Sequence, residues 1–333
     1  MKHIIGGNGQ AANAQVKWLD VDEESAGQRL DNFLIRHLKG VPKTHVYRII
    51  RSGEVRVNKG RASADTRVAA GDRIRLPPVR VSETAAGKSE HPAPAREFPV
   101  LFEDELLIAI DKPAGVAVHG GSGVSFGVIE QLRQARPAAR FLELVHRLDR
   151  DTSGILLVAK KRAALTNLQD QFRERDTGKT YLALVAGAWP ARTKVIDAAL
   201  HKYLQADGER RVKVVAKDDP DGMRSITLVR VARRVAIADG VFSLLEVTIK
   251  TGRTHQIRVH LASKGHPIAG DGKYGDFELN KSLQKLEFKR MFLHAWRLQF
   301  NHPASGERIE LVSPLPAELR KFADHDPIAP APL

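Results

Sequence analysis

The stretch His146-Arg147-Leu148-Asp149-Arg150-Asp151-Thr152-Ser153-Gly154 runs straight into Ile155-Leu156-Leu157-Val158-Ala159. Its second half reads as a strand, a short apolar run rich in branched residues. Its first half puts two carboxylates and two guanidiniums within five residues, 147–151, on the loop entering that strand. Loops carried by a rigid scaffold are where catalytic groups are commonly held. Similar apolar runs recur at 106–110, 181–185, 242–250 and 292–300. Leu165, Leu168 and Phe172 mark a helix between two of them, and Thr254 can cap another through about Ser263. Strands outnumber helices, and their spacing is too irregular for a βαβ repeat. The expectation is an α+β domain over 99–318, with a mixed, mostly antiparallel sheet and flanking helices.

Upstream lies a small α/β module, 28–81. Leu30, Phe33, Leu34 and Leu38 recur at helical spacing. Pro42 stands where the first turn of a second helix would begin, with Val46, Ile49 and Ile50 on one side. Gly53 ends that helix. The alternating Glu54–Asn58 and Arg73–Leu76 read as strands, with turns at Asn58-Lys59-Gly60 and Gly71-Asp72. Residues 43–75 hold nine Lys or Arg against three Asp or Glu, a formal +6. Such a charge run on a unit with its own apolar set favours nucleic-acid binding, with Lys43, Arg48, Arg51 and Arg56 as candidate contacts. Residues 1–25 read as a tail with a short strand near Trp18–Val21, 82–98 as a linker stiffened by proline, and 319–333 as a C-terminal tail.

Lys plus Arg total 53 of 333 residues against 39 Asp plus Glu, a net +14. That favours a polyanionic partner, nucleic acid before anionic membrane. Cysteine is absent, which excludes disulfides, thiolate zinc sites, iron–sulfur clusters and a Cys nucleophile. No run approaches the ~18 apolar residues of a membrane span, and Met1–Gln10 has no signal-like core. A cytoplasmic location without membrane contact is expected by elimination.

The cluster at 146–154 admits several readings. Asp149-Arg150-Asp151 has the spacing of a metal-binding pair, although the arginines would repel a cation. Ser153 precedes Gly154 but lacks the preceding glycine of a nucleophile elbow. A lone carboxylate kept ionised by arginine suits a nucleophile or general base. An Arg–Asp turn that merely pins the strand is the plainest reading. A second cluster is Thr251-Gly252-Arg253-Thr254-His255-Gln256-Ile257-Arg258-Val259-His260. With Thr254 as cap, His255 and Arg258 would share a helix face. His255 and His260 are five apart, which does not match the HExxH zinc spacing, and no Walker loop is completed there. Lys112-Pro113-Ala114-Gly115 and Asp271-Gly272-Lys273-Tyr274-Gly275 read as turns that alone mean little.

Taken in order, these stretches resemble the motifs of the RNA pseudouridine synthases. The signature His146–Gly154 is joined by Lys112–Gly115, Lys179-Thr180-Tyr181-Leu182-Ala183 and Gly252–Arg258, and the module 28–81 is similar to an S4 RNA-binding domain. The stretches Leu38–Lys43 and Arg290–Trp296 look closest to the branch acting on large-subunit ribosomal RNA. The resemblance implies Asp149 as the catalytic aspartate and Arg258 as the basic residue paired with it. It implies that Tyr181 stacks on the target base and helps remove the C5 proton, and that Arg147 fills the space left by the flipped nucleotide. His146, Lys112 and His255 join the expected RNA contacts. Isomerisation from an N- to a C-glycoside is redox-neutral, so neither cofactor nor metal is expected. The expected partner is ribosomal RNA, met by a monomer. The rival expectations are a non-catalytic ribosome assembly factor and a synthase acting on transfer RNA.

Overall fold

Apolar residues at helical spacing build α1 (Leu30–His37) and α2 (Lys43–Arg51), which bury Leu30, Phe33 and Leu34 and Val46, Ile49 and Ile50. Pro42 is the residue just before α2, with the fixed φ of a helix start. The short strands β1 (Lys17–Asp20), β2 (Arg56–Val57), β3 (Gly60–Arg61) and β4 (Arg73–Leu76) form an antiparallel sheet ordered β1-β4-β2-β3. Asn58 and Lys59 take positive φ of 48° and 70°, the left-handed pair that closes a two-residue hairpin between β2 and β3. The helices and sheet share one core that includes Val21, Phe33, Ile49 and Ile74. The expected N-terminal tail therefore ends earlier, because β1 and Val21 belong to this core.

This computed structural model describes residues 16–23, 25–38, 41–79, 93–121, 125–238 and 240–325. It divides into units 1–92 and 93–333. Most of the expected linker, and residues 1–15 and 326–333, lie outside the described residues. Phe98, assigned to the linker by sequence, is buried with Leu156 and Val158 in the second unit.

The second unit carries β5 (Val100–Glu103), β6 (Leu107–Lys112), α3 (Val128–Ala135), β7 (Glu143–Leu144), β8 (Ser153–Ala159), α4 (Arg162–Glu174) and β9 (Gly178–Ala186). It continues through β10 (Val195–Leu204), β11 (Arg210–Val215), β12 (Met223–Ile237), β13 (Gly240–Ile249), α5 (Gln256–Ser263), α6 (Phe277–Lys285), β14 (Leu293–Asn301), β15 (Arg308–Val312) and α7 (Ala317–Ala323). The strands form one sheet ordered β11-β10-β12-β13-β9-β14-β8-β6-β5, with β15 beside β14 and β7 beside β8. Among the described residues its pairings are antiparallel except β8 with β14, so the mixed, mostly antiparallel sheet is as expected.

All seven residues of β8 are buried, because both faces of the sheet are covered there. Val128, Ile129 and Leu132 of α3 meet Ile108, Leu156 and Val158 on one face. Leu165 and Leu168 of α4 meet Leu107, Leu157 and Phe300 on the other. The expected C-terminal tail is also shorter. Leu319, Phe322 and Ala323 of α7 are buried, and the Phe322 ring meets Phe288 edge-on at 4.7 Å. Among the described residues no helix is long and apolar enough to cross a membrane.

Candidate active site

The loop 146–152 enters β8 at the seam where β8 pairs with β14. The Asp149 side chain is 22% exposed and accepts a hydrogen bond from Arg258 Nη1 at 3.1 Å. Arg258 is buried on α5. Its Nε and Nη2 donate to Asp271 Oδ2 and Oδ1 at 2.8 and 2.7 Å. One guanidinium thus bridges two carboxylates. Burial works against its charge, and the Asp271 and Asp149 carboxylates more than offset this, holding Arg258 above its ordinary pKa.

Asp149 and Arg258 line a pocket of about 250 Å³ together with Arg147, Tyr181 and His255. Tyr181 reaches it from β9. Burial first, and then the Asp149 charge, push its phenol up, so Tyr181 stays protonated at neutral pH. Arg147 is exposed at the pocket wall. His255 Nε2 stands 3.9 Å from Asp149 Oδ2. The structure therefore gathers Asp149, Tyr181, Arg258, Arg147 and His255 in one place. Lys43, Arg48 and Arg51 are exposed on α2 of the other unit, and Arg56 is half-buried on β2.

One expected RNA contact, Lys112, is internal instead. Lys112 is fully buried, and its Nζ donates to the carbonyls of Pro113, Val116 and Arg150 at 2.8, 2.8 and 3.0 Å. It staples the 113–116 turn to the signature loop and has no proton left for a phosphate. Burial brings its pKa down to about 7 against the pull of Asp151 and Asp149. His146 is half-buried and lines the same pocket as Asp149, while its Nε2 accepts the Leu157 N–H at 3.1 Å and its ring stacks on Phe172 at 4.8 Å. Both contacts brace the loop on β8 and α4.

Two rival readings of the signature, a metal pair and a serine nucleophile, gain no support from the geometry. Asp149 faces Arg258 while Asp151 faces Arg150, so each carboxylate of the spaced pair already meets a guanidinium. Ser153 is 1% exposed, and its hydroxyl is already engaged by His294 Nδ1 and Arg290 Nη2. Helix α5 also starts one residue later than expected. His255, not Thr254, is its cap residue, in the left-handed region at φ 52°. Gln256 fixes that start. Its Oε1 accepts from Thr251 Oγ1 and the Arg253 N–H, and its Nε2 donates to the Ile226 carbonyl and Thr227 Oγ1 on β12.

Sequence reasoning passed over Asp271 and Tyr274. The Asp271 carboxylate is 1% exposed, and Tyr274 Oη lies 2.8 Å from His255 Nδ1. The available signal was an aspartate between Gly270 and Gly272, a pattern that also marks an ordinary turn.

His146, His255, His260 and His294 are all held below the ordinary histidine pKa, in each case chiefly by burial, with His146 at about 4. The folded chain keeps these rings neutral where the unfolded chain would protonate them. Their contribution to stability is whole above the ordinary histidine value of 6.5 and is lost progressively as pH falls toward the lowered folded values. Urea unfolding at pH 7.5 and pH 5 should show a loss on the order of 2 kcal/mol or more at the lower pH. Equal midpoints and slopes at both pH values would mean that the rings charge freely in the folded state.

A family model described as RNA pseudouridylate synthase matches residues 106–263, and the S4 domain model matches 28–74. The chain is 50% identical over 317 residues to the ribosomal large subunit pseudouridine synthase C of Pasteurella multocida, covering 93% of this chain and 94% of that one. The protein of the same name from Escherichia coli is 49% identical over 311 residues, 92% and 95% of the two chains. Among solved structures, Human RNA Pseudouridylate Synthase Domain Containing 1 matches with TM-score 0.58 and 26% identity over 72% of this chain and 91% of its own. Human RNA Pseudouridylate Synthase Domain Containing 4 matches with TM-score 0.54 and 26% identity, covering 67% and 92%. The chain belongs to the RNA pseudouridine synthase family, carries its S4 domain, and is similar over nearly its whole length to the ribosomal large subunit synthase C branch.

Proposed function

We propose that this protein isomerises specific uridines of large-subunit (23S) ribosomal RNA to pseudouridine, with Asp149 as the attacking carboxylate. The observation that carries the reading is the pocket in which Asp149 is held by Arg258 beside Tyr181. Its volume suits one nucleoside and no duplex, so the target must leave its stack. Arg147 fills the gap left in the RNA. Asp149 attacks the ribose or the uracil ring, the N1–C1′ bond breaks, the base turns, C5 bonds to C1′, and the carboxylate is released. C5 then gives up its proton and N1 gains one, so the atoms balance with no co-reactant. Tyr181, a phenol that stays protonated, serves as stacking platform and relay for the C5 proton. His255 adds a donor near the same carboxylate. The exposed basic residues of α2, Lys43, Arg48 and Arg51, hold the RNA backbone. A single chain supplies every group, so the enzyme acts as a monomer, in the cytoplasm where ribosomal RNA is.

Chemical labelling and primer extension on ribosomal RNA from cells lacking the gene provides the test. Pseudouridine should vanish at particular large-subunit uridines and return with the wild-type gene. Unchanged ribosomal RNA with altered transfer RNA would move the substrate. If both were unchanged, a binding factor without catalysis would replace the enzyme.

A further inference from the structure

Arg258 and His255 both aim at Asp149, and both are held by one loop, residues 270–275. Asp271 takes two hydrogen bonds from Arg258, which leaves Nη1 for Asp149. Asp271 Oδ1 also accepts the N–H groups of Lys273 and Tyr274 at 2.8 and 3.1 Å. Its main-chain carbonyl accepts from Asn280 Nδ2 at 3.0 Å and from the Gly275 N–H at 3.1 Å. So many donors leave the carboxylate one orientation. The loop is also too tight for side chains at its ends. A Cβ at Gly270 would lie 2.2 Å from the Arg290 carbonyl oxygen, and one at Gly275 would lie 2.2 Å from that of Asp271.

Tyr274 does the same for His255. Its hydroxyl accepts the Val212 N–H at 3.0 Å and lies 2.8 Å from His255 Nδ1. Donation of the phenol proton to Nδ1 fits an oxygen that already accepts one N–H. The ring proton of the neutral imidazole then sits on Nε2, the nitrogen facing Asp149 Oδ2 at 3.9 Å. The Arg258 guanidinium lies over the Tyr274 ring at 5.1 Å, tying the two halves of the loop together.

We infer that the loop 270–275 is the positioning element of this site: Asp271 sets the direction of Arg258 and Tyr274 sets the tautomer of His255, so that two donors converge on one carboxylate. The inference rests on Asp149 being the reacting group. Neither Asp271 nor Tyr274 lines the pocket, so both act through the residues they hold. A guanidinium released from Asp271 could still neutralise Asp149 but would no longer orient it. Misplacement of a reacting group by about 1 Å can cost on the order of 10²-fold in rate.

The test uses the full chain, a 23S transcript, single-turnover rates and RNA binding measured separately. Asp271→Asn keeps the side-chain shape and removes the charge. It should lower the rate at saturating RNA about 10²-fold while the Kd for RNA stays within about threefold. Tyr274→Phe should cost about tenfold in rate, the size of one lost hydrogen bond. In ¹⁵N-histidine spectra wild-type His255 should show the Nε2–H tautomer and Tyr274→Phe a mixture of both. The spectra need no turnover, so they separate the loop's role from the reaction. Absence of product from wild type would refute the proposed reaction. Wild-type turnover with Asp271→Asn within threefold of it would overturn the role of Asp271. A His255 tautomer unchanged by Tyr274→Phe would overturn that of Tyr274. Should Asp271→Asn fail to fold, Tyr274→Phe decides the matter by its rate and spectrum together.

Discussion

Asp149→Asn is expected to lower pseudouridine formation on a 23S transcript by on the order of 10⁴-fold or more, with RNA binding and thermal stability close to wild type. The amide has the shape of the carboxylate and loses its nucleophilic charge. The fold tolerates the change because Arg258 keeps its two bonds to Asp271 and can still donate Nη1 to the Asn oxygen. The cost in stability is about 1 kcal/mol, since a partly exposed hydrogen bond loses its charge assistance and nothing buried is left unpaired. RNA affinity should hold because it is carried by many cations, among them Lys43, Arg48 and Arg51 on α2. Tritium release from C5-labelled transcript, read beside a filter-binding Kd, makes the comparison. Near wild-type release would remove Asp149 from the chemistry and return the 146–154 loop to a pinning turn.

How far the sequence could be read depended on how local each cause is. Strands β6, β8, β9, β13 and β14 are legible because each is a run of apolar residues, and α4 because Leu165 and Leu168 lie on one face. Strands β10, β11 and β12 were not anticipated. In β12 the buried positions 225 and 227 are Ser and Thr, tolerated because Thr227 Oγ1 meets His260 Nδ1 and Gln256 Nε2. Those partners lie some thirty residues away and leave no periodic trace. The site shows the same divide. Asp149, Tyr181 and Arg258 stand in recognisable motifs, but whether a polar residue in such a motif faces RNA or the interior is not a local property. Lys112 is turned inward by the Arg150 carbonyl, 38 positions on. Asp271 reads as a turn residue until folding brings Arg258 onto it.

Gly154→Val should be the most damaging single change in the scaffold. Gly154 takes φ +109°, and a Cβ there would lie 2.2 Å from the Ala295 carbonyl oxygen and 2.8 Å from its carbon and nitrogen. A branched residue in that backbone region costs on the order of 1–3 kcal/mol before any clash is counted. The clash is with backbone, so relief requires separating β8 from β14. That pairing, Ser153 with His294 and Gly154 with Ala295, joins β5–β8 to the rest of the sheet. Buried residues on both sides of the seam would open with it. A loss above about 4 kcal/mol is expected, or a melting temperature lower by on the order of 10 °C, with poor soluble yield. Gly121→Ala serves as control, because its nearest neighbour would be a side-chain atom at 3.9 Å. A Gly154→Val protein melting within about 2 °C of wild type would show that the seam can widen at little cost. Asp149 sits five residues before this contact, so Gly154→Val should lose fold and turnover together, whereas Asp149→Asn loses turnover alone.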